Sequence, residues 1–373
     1  MRPFNAVLSF LIVLLVPFAN ASETSKNVGI LISSYGEKGR ENLSYDLEEL
    51  AQAYLVLHDN GVSIDLLSPK GGAVLVKNNK DQLPFIQRFK NETPALKQLA
   101  NTLSSKEAID KTYDAVLVIG GSGAMFDLSV DQATQTFLEK HVNSSKPIAA
   151  VCHGPAALVN IKKKDGSYFV ANKKVNAFTN AEERAFGSDV IDDLPFLLED
   201  KLKEHGATFV NNAPMLPYIS VDGNLITAQN PGAVAQAAEV LLTKAGVDIK
   251  DRKPFKDEAT LTLISKARSS GSYLIDLAVK SKPKMYDMNY MALYGFYAYG
   301  LAEDKASKLV ELDIMQAIGR NFEHPVYLAK LISAEVEQGM KTKAKQNFEK
   351  FKDLYPDHEK MADLKGLFNE KAK

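Results

Sequence analysis

The only cysteine in the chain, Cys152, is followed at once by His153 and Gly154. A thiol beside an imidazole suits nucleophilic chemistry, because a neighbouring base can take the proton that sulfur must lose. The preceding run, Ile148-Ala149-Ala150-Val151, is short and apolar and reads as a buried strand. Gly154 permits a tight turn, and Pro155 suits the first position of a helix, where a missing N–H costs nothing. Cys152 is therefore expected on a strand-to-helix elbow, at the positive end of a helix dipole that favours the thiolate. A lone cysteine is more often a buried structural residue. The elbow and His153 argue for a reactive one here.

The rest of the chain must position this pair. Its 373 residues are long for one core, so two domains are expected. The 45 basic and 46 acidic side chains nearly cancel, which gives no electrostatic reason to expect a nucleic-acid partner. At the N-terminus, Arg2 precedes an apolar run from Ala6 to Phe18, and Ala19-Asn20-Ala21 offers a small-x-small cleavage site. That is the pattern of a secretory signal peptide over 1–21, too short for a membrane span, with Ser22 as the mature N-terminus. The expectation is an exported protein, periplasmic or secreted, with no membrane attachment after cleavage. One cysteine cannot form an internal disulfide, so the core alone must hold the fold.

From Asn27 the chain alternates apolar strands with amphipathic helices. Strands are expected at Asn27–Ser33, Val62–Leu67, Tyr113–Ile119, Ile148–Val151, Lys174–Phe178, Thr208–Asn211 and within Tyr218–Thr227. Helices are expected at Leu43–Asn60, Thr93–Leu103, Val130–His141, Leu197–His205 and Pro231–Ala245, with a polar, irregular excursion at Lys77–Glu92. Such alternation implies a parallel sheet sandwiched by helices, with the ligand crevice beyond the carboxyl ends of the strands. The Gly120-Gly121-Ser122-Gly123 turn and the Cys152 elbow both follow strand ends and should share that rim.

After Val247 the texture changes. A charged stretch with Pro254 reads as a linker, and the remainder to Lys373 is helical, giving an α/β domain at 22–248 and an all-α domain at 249–373. Leu328, Leu331, Gly339, Ala344, Phe348 and Pro356 fall near the spacing of a tetratricopeptide hairpin, in a single copy. The aromatic cluster at Tyr290, Tyr294, Phe296, Tyr297 and Tyr299 reads as core.

Several segments in their order resemble the DJ-1/PfpI superfamily and its Hsp31-like, glyoxalase III branch. They are Leu47-Glu48-Glu49-Leu50-Ala51, Ser68-Pro69-Lys70-Gly71-Gly72, Gly120-Gly121-Ser122-Gly123, Ala150-Val151-Cys152-His153-Gly154-Pro155-Ala156, Ala177-Phe178-Thr179-Asn180-Ala181-Glu182-Glu183 and Thr227-Ala228-Gln229-Asn230-Pro231. The resemblance implies a flavodoxin-like, class I amidotransferase-like fold. It makes Cys152 the nucleophile, His153 the histidine that follows it, Glu183 the acid that orients the histidine, and Glu49 the general acid–base group. Glu49, twelve residues before Gly61, is preferred to Glu48, which is read as a solvated surface charge. Neighbours on a helix point about 100 degrees apart, so only one faces the pocket. Glu182 is the parallel ambiguity beside Glu183. Gly121, Ser122 and His153 would bind substrate and an oxyanion.

The activity so implied converts methylglyoxal or a related 2-oxoaldehyde to the 2-hydroxy acid, as a lyase of the D-lactate dehydratase type, without metal or organic cofactor. The alternatives are a stress-related holdase chaperone or redox-sensing binding protein, and a cysteine amidase, protease or deglycase of the same superfamily. A protein partner could engage the helical domain, and a homodimer is open. Two departures stand out: Ser122 occupies a position that the family commonly gives to histidine, and Gln52-Ala53 stand where His-Pro is frequent. The remaining histidines, His58, His141, His205, His324 and His358, show no metal-ligand spacing and are read as surface residues.

Overall fold

The computed structural model describes residues 25–76 and 80–369. The expected signal peptide lies outside the described residues. The first half alternates as expected: β1 (Asn27–Leu31), α1 (Leu47–Asp59), β2 (Ser63–Ser68), α2 (Pro84–Asn91), α3 (Thr93–Leu99), β3 (Leu103–Ser104), α4 (Ser105–Ala108), β4 (Ala115–Val118), α5 (Gln132–Asn143) and β5 (Ile148–Val151). There follow β6 (Lys174–Val175), α6 (Asn180–Phe186), α7 (Leu198–Glu204), β7 (Thr208–Phe209), β8 (Ile219–Asp222), β9 (Leu225–Ala228) and α8 (Val234–Lys244).

Seven strands form one sheet in the order β3-β2-β1-β4-β5-β9-β8. All its pairings are parallel except the edge pair β8–β9, where a tight turn at Gly223 sends the chain straight back. The central strands β4 and β5 are buried along their whole length, which explains why they are continuous apolar runs. One face of the sheet packs on α1 and α8, and the other on α5 and the turns around Met125 and Leu158. The order reverses between β1 and β4, and a crevice opens at such a switch point.

Three expectations are corrected here. Lys174–Phe178 does not join the main sheet; only Lys174 and Val175 are strand, paired with β7 in a separate two-stranded ribbon. The polar excursion contains α2, whose Phe85, Ile86 and Phe89 are buried while Gln87, Arg88 and Lys90 face outward or lie part-exposed. Three apolar residues in eight were too few to declare a helical face. The charged stretch after Val247 is not a loose tether. Arg252 is largely buried and bridges Glu239 on α8 to Glu258.

The second half is helical throughout its regular elements: α9 (Lys256–Ser270), α10 (Tyr273–Ser281), α11 (Met288–Leu301), α12 (Lys305–Asn321), α13 (Pro325–Glu337), α14 (Lys341–Leu354) and α15 (Met361–Asn369). These helices share a core of their own, which includes Tyr294 and Tyr299. Tyr297 of the same aromatic cluster is exposed rather than core. The antiparallel pair α13 and α14 turns at Gly339, where φ is +72°. No helix among the described residues is long and apolar enough to cross a membrane.

The helical core is docked on the sheet domain by specific contacts. The Gln52 side-chain amide on α1 donates to Asp257 on α9 at 2.6 Å, and Phe85 meets Phe255 edge-on with centroids 5.4 Å apart. On another face, Phe186 of α6 meets Tyr297 of α11 edge-on at 5.4 Å.

Candidate active site

Cys152 follows β5 directly and has φ +58°, a left-handed conformation that costs a non-glycine residue about 1–3 kcal/mol. Its backbone is held on both sides to keep it there. The Cys152 N–H donates to Ala228 O at 2.8 Å, and the Phe178 N–H donates to Cys152 O at 2.9 Å. The elbow projects the thiol beyond the sheet edge, where it lines a cavity of about 420 Å³. The side chain is 5% exposed, accessible from the cavity but shielded from bulk water.

His153 Nδ1 lies 3.4 Å from the Cys152 sulfur, and its Nε2 lies 2.7 Å from Glu183 Oε2. Both partners of the second contact are buried, and Phe178 packs against the imidazole with centroids 4.7 Å apart. Glu183 therefore fixes the ring with one nitrogen toward the sulfur. Glu182 is committed elsewhere: it closes a capping box with Thr179 and accepts from the Met215 N–H and the Asn230 side chain. Glu182 thus ties loops together, and of the two acids it is Glu183 that contacts His153.

Glu49 comes from the opposite side, in the first turn of α1. Asp46 caps this helix by accepting from the Glu49 N–H at 3.0 Å. The Asp46 N–H in turn donates to Gly120 O, and the Gly120 N–H donates to Glu49 Oε2 at 2.8 Å. This closed circuit ties α1 to the turn after β4 and aims the carboxyl at the thiol. Glu49 is completely buried. Burial, then the charge of Asp46, pushes its carboxyl well above the usual range against the opposing Gly120 bond. Burial and then the Glu49 charge likewise push the Cys152 thiol up. Two such neighbours disfavour joint ionisation, and the raised proton affinity of Glu49 favours its neutral form beside the sulfur.

This corrects the thiolate expectation. The helix after Cys152 is only a 3-10 segment, Gly154–Leu158, too short for the dipole that was invoked. The proton affinity of this thiol is instead raised by burial and by the carboxyls of Glu49 and Asp46.

Gly121 and Ser122 line the cavity together with His153. Gly121 has φ +96°, and a Cβ there would fall 2.5 Å from both Ser44 O and Asp46 N. Only glycine lets the turn after β4 lie this close to the start of α1. The N–H groups of Gly121 and His153 find no acceptor among the described residues.

Glu48 was misread as a surface charge. It is largely buried, lines the cavity and pairs with Lys80. Burial and Asp46 push its carboxyl up to about 7. The expected helix from Leu43 put Asp46 inside it, whereas Asp46 caps the helix that starts at Leu47; nothing local announces that Lys80 reaches the same cavity. Two of the histidines read as surface residues are also buried. His141 Nε2 lies 3.0 Å from Pro147 O, and His205 Nδ1 lies 2.7 Å from Val159 O.

A thiol on a left-handed elbow at the carboxyl edge of a parallel sheet, faced by a buried acid from the first helix, defines a class of α/β protein. The model of the DJ-1/PfpI family matches residues 44–244, more than half of the chain, and the protein belongs to that family. It is 31% identical over 153 residues to a glutathione-independent glyoxalase of Schizosaccharomyces pombe; the match covers 39% of this chain and 63% of that protein. A second glyoxalase of that description from the same yeast is 29% identical over 212 residues, covering 54% of this chain and 87% of the relative. Among solved structures, the Rapid Encystment Protein 24 kDa of Francisella tularensis aligns with a TM-score of 0.54 at 29% identity, over 59% of this chain and 99% of that one.

Proposed function

We propose that the protein is a cofactor-independent glyoxalase of the glyoxalase III type, converting a 2-oxoaldehyde and water to a 2-hydroxy acid. The observation that carries this reading is the Glu49 carboxyl buried against a thiol that also contacts a Glu183-anchored imidazole. The glyoxalase relatives favour the same chemistry.

In this mechanism His153 takes the thiol proton, and sulfur bonds to the aldehyde carbon. The aldehyde oxygen takes the proton of Glu49, giving a hemithioacetal. The Glu49 carboxylate then removes hydrogen from that carbon while the His153 imidazolium protonates the neighbouring ketone oxygen, which leaves an enediol. Glu49 returns its proton to the former ketone carbon, and His153 takes the proton of the other hydroxyl to leave a thioester. Water then attacks the thioester carbon and gives one proton to Glu49; the C–S bond breaks, the thiol regains its proton from His153, and the 2-hydroxy acid leaves carrying the other water proton. A buried carboxyl with raised proton affinity suits both halves of this shuttle. The Gly121 and His153 N–H groups would hold the oxyanion.

The test is lactate formation from methylglyoxal by the purified protein. Cys152→Ala should abolish turnover, and Glu49→Gln should lower kcat by about 10²–10⁴. Unchanged turnover in either variant rejects the mechanism. Export with cleavage after Ala21 is part of the same proposal, and N-terminal sequencing of the protein from its producing cells should then begin at Ser22.

A further inference from the structure

A second cavity, of about 240 Å³, lies beside the first. Glu48 lines both. Adjacent residues of the same two helices also divide between them: Leu47 and Ile86 face the Cys152 cavity, and Phe85 faces the second. The two spaces therefore follow one another along the groove between α1 and α2, with the Glu48–Lys80 pair at their junction. The wall of the second is largely apolar and aromatic, and the helical half of the chain supplies Phe255 and Tyr290 to it. Phe85 and Phe255 already meet edge-on there, a geometry that a further ring can extend.

Size points the same way. Cavities of roughly 300–1,000 Å³ are typical for ligands of drug size. The Cys152 cavity alone reaches that range, so a three-carbon aldehyde leaves most of it unfilled.

We propose that the two cavities form one bipartite substrate site, in which Cys152 takes the aldehyde end and the Phe85–Phe255–Tyr290 chamber takes an aromatic tail. The substrate class is then an aryl 2-oxoaldehyde, and the helical domain is a specificity-determining part of the site. This rests on the glyoxalase reading above. Glu48 sits where the tail must pass. In its neutral form it gives an aromatic group an uncharged neighbour at the junction.

The experiment compares phenylglyoxal with methylglyoxal in the wild type and in Leu83→Trp, which places a large ring in the chamber from a part-exposed position. The wild type should favour phenylglyoxal in kcat/KM by at least about tenfold, and Leu83→Trp should cut that ratio by a similar factor. Tyr290→Leu provides a second variant in case the first fails to fold. Calorimetric binding of the unreactive pair 2-hydroxyacetophenone and hydroxyacetone, to Cys152→Ala, reads the chamber without turnover. Preference for the aryl compound that Leu83→Trp removes supports the chamber even if no aldehyde is turned over, in which case the chemistry alone is wrong. A wild type indifferent to the aryl group in both assays, or a preference untouched by both variants, overturns the proposal.

Discussion

At the scale of single residues, two adjacent glutamates on one helix have different tasks, and both hold protons more tightly than an exposed carboxyl. Glu49 faces the thiol, and Glu48 faces the junction of the two cavities. For Glu48 the consequence is a pH dependence of stability. Its folded value of about 7 lies above the ordinary 4.5, so the folded state binds the proton more tightly. The stabilisation linked to it is fully present below pH 4.5 and is lost as pH rises through about 7. Glu48→Gln removes that slope. Urea unfolding at about pH 4.5 and pH 8 should show the variant gaining on the wild type by on the order of 1–3 kcal/mol as pH rises. A difference that stays flat would show Glu48 ionising like an exposed acid. Sequence reasoning could rank Glu49 above Glu48 by its distance from Gly61. It could not place Glu48 in a cavity wall, because Asp257 and Tyr290, which share that wall, lie more than two hundred positions away.

At the scale of elements, the site is a meeting of two strand ends and the start of a helix. The turn after β4 must pass against the start of α1 while the β5 elbow presents the thiol. Gly121 is where that convergence is tightest. Gly121→Ala would set a Cβ 2.5 Å from two backbone atoms and force it to hold φ +96°. It should destabilise the protein by about 2–4 kcal/mol in chemical denaturation and disturb the Asp46–Gly120–Glu49 circuit, lowering turnover beyond the loss of folded protein. A neutral result would mean that the turn can move away from α1. Strands β1, β4 and β5 and helix α1 were legible because burial on both faces, or on one helical stripe, leaves long apolar signatures. Helix α2 was not, and for β6 and β7 the strand positions were expected but not their short extent or their pairing apart from the main sheet. Each is too short to show a period, and each is fixed by packing rather than by its own sequence.

At the scale of the whole molecule, the helical half clamps the framework that holds the chemistry. Gln52 lies one turn beyond Glu49 on α1, is 2% exposed, and donates to Asp257 of α9. This gives the departure at Gln52-Ala53 a physical reason: the position that differs from the family pattern is a docking contact with the added domain. Phe186, three residues after Glu183, meets Tyr297 of α11. The segment between the halves is pinned by Arg252, which holds Glu239 on one side and Glu258 on the other at 2.7 Å. Removing one partner of such a part-buried network leaves the remaining carboxylates without their counter-charge. Arg252→Ala combined with Gln52→Ala should therefore weaken the docking more than either core. In calorimetry the wild type should unfold in one transition, and the double variant should separate into two, with the acid-bearing α1 losing protection in hydrogen exchange alongside α9. The two substitutions lie on different parts of the same interface, so their effects should exceed their sum if the halves dock as a unit. If the double variant still unfolds in one step with α1 fully protected, the apolar contact between Phe85 and Phe255 is sufficient to join the halves, and the polar clamp sets only their register.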